Sequence, residues 1–233
     1  MALPFFYAAE LTTASTQYVL NEETSKHVVQ VLRMKLNEEL QLTDGKGNLF
    51  IATIIDDNRK RCLVKIVQTT FTPQPEKKIT IAISLVKNNA RFEWFLEKAT
   101  EIGIQEIIPL VCSRTEKQHF RHDRMNGILI SAMLQSQQTW LPVLYEATKF
   151  SDTIKQAKQE QKLIAHCEEE VKTQLSSLTI SNNTIILIGP EGDFTKEEID
   201  IALQNNFTPV ALGDTRLRTE TAGIVATTLL RNM

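Results

Sequence analysis

No stretch of this chain approaches the ~20 consecutive apolar residues a membrane-crossing helix needs, so no membrane partner is expected. Nor does charge of one sign dominate. The 233 residues carry 26 Lys and Arg against 28 Asp and Glu, a formal net charge of −2. That balance argues against a protein that coats nucleic acid without specificity. The opening Met1-Ala2-Leu3-Pro4-Phe5-Phe6 lacks the basic segment and cleavage site of a secretory signal. Cysteine is scarce: Cys62, Cys112 and Cys167 are odd in number, far apart, and each sits in an apolar run. They are read as buried thiols in a reducing cytoplasm, not as a disulfide framework or metal site. His119 and His122 have no thiol or carboxylate at ligand spacing, so no metal is expected there either. The phosphate-binding signatures G-x-x-x-x-G-K-[ST] and G-x-G-x-x-G are both absent. There is no internal repeat and no low-complexity segment.

What is present is ordinary in bulk and informative in pattern. A hydrophobic fraction of 42% and a charged fraction of 23% suit a soluble globular chain, long enough for one large or two modest domains. Residues up to about 70 read mostly as β. Phe5 to Ala8 opens a strand, and Asn21 caps a helix from Glu22 to about Arg33, with His27, Val28, Val31 and Leu32 on one face. Glu39 to Thr43 and Asn48 to Ile55 flank Asp44-Gly45-Lys46-Gly47, a hairpin signal, and Arg61 to Gln68 alternates as a further strand. Phe71-Thr72-Pro73-Gln74-Pro75-Glu76 is the linker candidate, because two nearby prolines continue neither helix nor ladder.

Beyond the linker the pattern becomes strand, helix, strand, helix. Ile79 to Val86 is a continuous apolar strand, and a helix from about Ala90 to Ile102 carries the stripe Phe92, Phe95, Leu96, Ala99 and Ile102 before Gly103 stops it. Glu106 to Val111, Lys162 to Cys167, Thr184 to Ile188 and Pro209 to Leu212 read as short buried strands. Helical stretches fall at about 122–138, 152–160, 195–205 and 219–232. The alternation predicts an α/β domain with a mostly parallel sheet covered by helices.

Two glycine-bearing turns follow strands of that sheet: Ile188-Gly189-Pro190-Glu191-Gly192-Asp193-Phe194, and Leu212-Gly213-Asp214-Thr215-Arg216-Leu217-Arg218-Thr219-Glu220-Thr221-Ala222. Turns of this kind let backbone groups approach a ligand closely, and ligands of open α/β sheets sit at the carboxyl ends of strands. A phosphate in the first turn would meet repulsion from Glu191 and Asp193. A second cluster, Ser113 to Arg124, carries Arg114, Lys117, Arg121 and Arg124 with Phe120 among them. It suits RNA phosphates and base stacking, and equally a solvated loop and helix start.

The two turns resemble those of the RsmE family of 16S rRNA uridine N3-methyltransferases. His27…Val31-Leu32-Arg33, Lys87…Phe92…Lys98-Ala99-Thr100-Glu101-Ile102-Gly103 with Pro109, Ser113-Arg114, and Gln135-Ser136…Pro142 match in the same order. The resemblance implies a PUA-like β-barrel over 1–70, expected to bind RNA. It implies a SPOUT-type methyltransferase domain over 76–233, tied in a trefoil knot, and a cytoplasmic homodimer. The implied cofactor is S-adenosyl-L-methionine, and the implied partner is the 16S rRNA of the small ribosomal subunit, methylated on N3 of a decoding-region uridine. Carried onto this sequence, the cofactor residues are Ala165, His166, Leu187, Ile188, Gly189, Pro190, Glu191, Gly192, Leu212, Gly213, Leu217, Arg218 and Thr219. Arg218 is expected to stabilise or orient the uracil carbonyls, and Glu220 to act as base or orienting group. A helix-start cap with a salt bridge is the structural alternative for this pair. Arg33, Lys87, Arg114, Arg121, Arg124 and Arg216 are the expected RNA contacts.

The sequence departs from the family pattern at Leu134 and Gln138, where an acidic residue and an Arg are usual. Residues 1–70 carry 8 Lys/Arg and 8 Asp/Glu, a net charge of zero. An RNA role for that region therefore rests on local patches. The last helix, with Ile224, Val225, Leu229 and Leu230 among Ala222, Gly223 and Ala226, suits a dimer interface and an ordinary buried helix equally.

Overall fold

The computed structural model describes residues 3–116, 119–168 and 172–233. The chain forms two compact units, residues up to 74 with 133–141, and residues 75–132 with 142–233. The division at Gln74/Pro75 falls inside the two-proline segment, and residues 133–141 join the first unit.

In the first unit, β1 (Phe5–Tyr7), β2 (Gln17–Val19), β3 (Glu39–Thr43), β4 (Asn48–Asp56) and β5 (Leu63–Phe71) form a sheet ordered β1-β3-β4-β5-β2. β1 pairs parallel with β3 and the other neighbours are antiparallel. The β3–β4 hairpin forms as the Asp-Gly-Lys-Gly signal predicts. Gly45 and Gly47 take φ of 71° and 93°, and Asp44 Oδ1 accepts from the Lys46 and Asn48 amides at 2.8 and 3.2 Å. A Cβ on Gly47 would stand 2.6 Å from the Trp140 ring, so the close approach of residues 139–141 depends on that glycine as well as its φ. Leu40, Leu42, Phe50, Ile54 and Val64 centre this unit's core.

The helix expected from Glu22 to Arg33 is broken in type. It is α1 (Glu22–Lys26), capped by Asn21 Oδ1 accepting from Thr24 N at 2.8 Å, followed by a π-turn over His27–Val31. In that turn Leu32 N reaches back five residues to His27 O, and the wider turn shifts the side-chain phase. The expected apolar face therefore does not form. Val28 and Met34 are buried, while Val31 is 66% and Leu32 41% exposed, and His27 and Arg33 are exposed too.

The second unit holds β6 (Lys78–Ser84), α2 (Asn89–Ile102), β7 (Glu106–Val111), α3 (His122–Gln135), β8 (Val143–Leu144), β9 (Thr148–Lys149), α4 (Phe150–Gln156), β10 (Gln161–Ala165), β11 (Thr173–Gln174), β12 (Asn183–Ile188), α5 (Lys196–Gln204), β13 (Thr208–Ala211) and α6 (Thr219–Asn232). The sheet runs β11-β13-β10-β12-β6-β7-β8, with β9 also on β7, and every described pairing is parallel. α2 starts where Asn88 Oδ1 accepts from Ala90 N and ends at Gly103 in the left-handed region, φ 92°. One sheet face packs Phe150, Ile154, Phe194 and Ile199 against Ala82, Ile185 and Leu187. On another side α6 lies against α2, β6 and β12. A Cβ at Gly223 would stand 2.7 Å from both Ile83 and Phe95, so glycine sets how closely α6 seats.

The strand order brings the carboxyl ends of β10, β12 and β13 side by side, although long stretches of chain separate them. After β13 the chain leaves the far side of β10 and returns to start α6 over β6 and β12, so residues 212–218 cross the ends of the two strands between.

Candidate active site

Two adjoining cavities of about 290 and 370 Å3 open at those strand ends. Ala165, Cys167, Arg216, Leu217 and Ala222 line both. The first is completed by Ile188, Gly189, Pro190, Glu191, Asp193, Arg218 and Thr219, and the second by His166, Lys172 and the 210–215 segment.

The turn after β12 is held from four sides. Asp193, at φ 63°, accepts from Cys167 N through Oδ2 at 2.7 Å and from Phe194 N through Oδ1 at 2.8 Å. That carboxylate ties the ends of β10 and β12 together and offsets the cost of a left-handed non-glycine residue. Arg114 Nη1 donates to Gly192 O at 2.7 Å and to Phe194 O at 3.2 Å. Glu191 Oε1 accepts from Lys87 N at 3.1 Å, and Thr219 Oγ1 donates to Gly189 O at 2.9 Å. A Cβ on Gly189 would lie 3.1–3.2 Å from the ring and amide of Phe194, so absence of a side chain lets the turn fold onto that buried ring. Below the turn, Thr195 and Glu198 form a capping box for α5, and the buried Glu198 Oε1 also accepts from Ser113 N at 2.8 Å.

The turn after β13 is built differently. Gly213 has φ 136°, and a Cβ there would meet nothing within 4 Å. Glycine is required by the backbone, and the space it faces is open. Lys172 Nζ donates to the carbonyls of His166 and Glu168 at 2.8 and 2.6 Å, closing the loop after β10.

Of the residues expected around the cofactor, Ala165, His166, Ile188, Gly189, Pro190, Glu191, Leu212, Gly213, Leu217, Arg218 and Thr219 line one cavity or both. Leu187 points into the core beside Ile185 and Phe194, and Gly192 packs on the stem of Arg114; neither lines a cavity. Arg218 is exposed at the N-cap of α6, where its carbonyl accepts from Ala222 N at 2.8 Å, and its side chain makes no hydrogen bond or ion pair among the described residues. Glu220 is only 7% exposed, lies with Oε1 3.6 Å from Arg91 Nε, lines neither cavity, and has Oε2 buried and unpartnered.

The basic residues divide. Arg216 is exposed and lines both cavities, and Arg33 and Arg121 are exposed. Lys87 pairs with Glu116 at 2.8 Å, Arg124 holds Glu93 in a two-point bridge at 2.7 and 3.1 Å, and Arg114 is committed to the turn. Lys117 lies outside the described residues. Cys167, read from sequence as buried, is exposed at the cavity rim, while Cys62 and Cys112 are buried as expected. Burial, then the nearby Asp193, pushes the Cys167 thiol up. Sequence reasoning missed Cys167, Lys172 and Asp214 as lining residues. Asp193 carried a signal, standing inside the glycine turn. Among the described residues no group of three or more His, Cys, Asp and Glu is placed to hold a metal.

An all-parallel sheet with a cavity at three neighbouring strand ends, in a chain that also carries a small β unit, defines an RNA methyltransferase of the SPOUT type. The RNA methyltransferase domain profile matches residues 72–231, and the PUA domain of RNA methyltransferases matches 20–67. The chain is 29% identical to ribosomal RNA small subunit methyltransferase E of Rickettsia conorii, over 88% of this chain and 85% of that one. It superposes on a probable rRNA methyltransferase from Porphyromonas gingivalis with TM-score 0.91 and 37% identity, covering 99% and 98% of the two chains. It also superposes on the small subunit methyltransferase E of Neisseria gonorrhoeae, solved bound to S-adenosylmethionine, with TM-score 0.88 and 27% identity over 99% and 98%. This chain belongs to the RNA methyltransferase family, and within it to the RsmE group.

Proposed function

We propose that this protein uses S-adenosylmethionine to methylate N3 of a decoding-region uridine in the 16S rRNA of the small ribosomal subunit, as a cytoplasmic homodimer. The observation that carries the reading is the pair of adjoining cavities at the ends of β10, β12 and β13. Their size suits a nucleoside-sized ligand, and their walls offer backbone groups of residues 165–167, 188–190 and 211–217. Glu191 and Asp193 line the first cavity together with Arg216 and Arg218, so the lining is balanced in charge and gives a phosphate no net attraction. When bound, the cofactor supplies an electrophilic methyl group on a sulfonium.

The chain's own residues then divide the work. Gly189 and Gly213 keep main-chain atoms bare at the cavity wall. Ile188, Leu212 and Leu217 supply apolar surface for a purine. Arg218, whose side chain is uncommitted among the described residues and open to solvent, meets the uracil carbonyls and stabilises the ring anion left when the N3 proton passes to water. Of the two roles expected for Glu220, orientation fits better than that of a base, because the carboxylate is buried against Arg91 and fixes the start of α6 that carries Arg218. Arg216 at the cavity mouth, with exposed Arg33 and Arg121, meets RNA phosphate.

Calorimetric titration with S-adenosylhomocysteine and with ATP tests the cofactor reading: the first binds and the second does not. Primer extension on small-subunit rRNA tests the target, because an N3-methylated uridine cannot pair and halts the polymerase. The halt disappears in a deletion strain; a halt that persists there overturns the assignment.

A further inference from the structure

A separate cavity of about 180 Å3 lies at the opposite end of the same sheet, among the starts of β7 and β12, the end of α4 and residues 145–148. It shares no lining residue with the two cavities above. Its apolar walls are Ile108, Ala157 and Ile185. At one side Glu106 is fully engaged: Oε1 accepts from Lys78 Nζ at 2.7 Å and Tyr145 Oη at 3.0 Å, and Oε2 from Thr80 Oγ1 at 2.8 Å. Burial and then the Glu106 carboxylate push the Tyr145 phenol up, so Tyr145 keeps its proton and goes on donating it.

Two lining residues are not satisfied. Thr153 is 4% exposed with Oγ1 buried and unpartnered, and Gln159 Oε1 is likewise buried without a partner. Buried polar atoms are nearly always hydrogen-bonded, and leaving one bare is costly. Gln159 Oε1 can only accept a proton, while the Thr153 hydroxyl can accept or donate. An anion would set a second acceptor against Gln159 Oε1, and a metal ion would find one carboxylate already neutralised by Lys78. A flat apolar body bearing an N–H donor answers both the walls and the bare oxygens.

We propose that this cavity binds an amino-substituted heterocycle of the class that includes adenine and cytosine, its exocyclic amine donating to Gln159 Oε1 and Thr153 Oγ1. The site is independent of the proposed cofactor cavity. The base comes either free or presented by a single strand of RNA.

The test titrates the full chain, saturated with S-adenosylhomocysteine so that the other cavities are closed, with adenine, with purine lacking the amine, and with a short oligoadenylate. Adenine or the oligoadenylate binds saturably, and purine binds about tenfold more weakly, the order expected for lost buried hydrogen bonds. Gln159→Leu and Thr153→Val each weaken the bound form about tenfold while leaving homocysteine-analogue affinity unchanged, which shows that the variants fold. Adenine without oligoadenylate assigns a free base, and the reverse assigns an RNA-borne one. No saturable binding by either, or binding indifferent to Gln159→Leu, overturns the proposal. If S-adenosylhomocysteine itself fails to bind, the cofactor reading fails while the Gln159 dependence still decides this one.

Discussion

Replacing Arg114 with alanine separates two roles that the residue type alone leaves open. The sequence suggests a phosphate contact, yet the guanidinium is spent on the carbonyls of Gly192 and Phe194. A hydrogen bond from a charged group contributes about 1.5–3 kcal/mol where water is excluded. Arg114 and Gly192 are exposed, so water replaces much of the loss, and about 1 kcal/mol remains after that discount. If the lost energy is spent in reshaping the 190–194 turn, affinity for S-adenosylhomocysteine falls about fivefold, since 1.4 kcal/mol is tenfold. Arg114→Lys cannot reach both carbonyls with one planar group and recovers only part of the loss. Calorimetry on the two variants, beside filter binding to small-subunit rRNA, reads the outcome. Unchanged S-adenosylhomocysteine affinity with weakened rRNA binding would refute the clamp and restore the phosphate contact.

Three further expectations follow from packing and titration. Gly223→Ala forces a Cβ to within 2.7 Å of Ile83 and Phe95 and costs about 1–3 kcal/mol of stability by overpacking, read as a lower urea midpoint; an unchanged midpoint would contradict the tight seating of α6. Burial, then Glu198, pushes the Cys112 thiol from 9.0 to about 12. The unfolded chain therefore ionises first, and stability falls as pH rises from about 9 to about 12. Cys112→Ala flattens that part of the urea-midpoint profile, and an identical profile in the variant would remove Cys112 as its source. Cys167, exposed with a raised thiol, reacts with maleimide slowly at neutral pH and faster in alkali, and bound S-adenosylhomocysteine protects it. Labelling that is insensitive to the ligand would place Cys167 outside the occupied cavity.

Much of the second unit was legible because its signals are local. An apolar run bounded by Gly103 or by a glycine turn fixes strand and helix without reference to distant residues, and Glu106–Val111 forms as the sequence suggests. The Asp44–Gly47 hairpin is legible for the same reason. The π-turn at His27–Val31 was not, since a single widened turn leaves no mark on composition yet moves Val31 and Leu32 into solvent. β2 was missed because Gln17–Val19 has three residues and depends on pairing with β5. Within the site, glycines and residues inside the turns could be found from spacing. The partners that arrive from distant parts of the chain could not: Arg114 from beyond β7 is brought in by strand order, and Arg91 reaches Glu220 through the packing of α2 on α6. Leu187 alternates away from Ile188, so a strand-end residue that looked like cavity wall became core.

The central claim is that the bends following Ile188 and Leu212 build one receptacle for a sulfonium nucleoside. Equilibrium titration of the full chain with S-adenosylhomocysteine measures it most directly, with Gly213→Val as comparison because a side chain there is strained and projects into open space. The account predicts saturable binding, one molecule per chain, lost or much weakened in Gly213→Val while the urea midpoint shows the variant folded. No saturable binding by the unaltered protein, or equal binding by the folded variant, would contradict it.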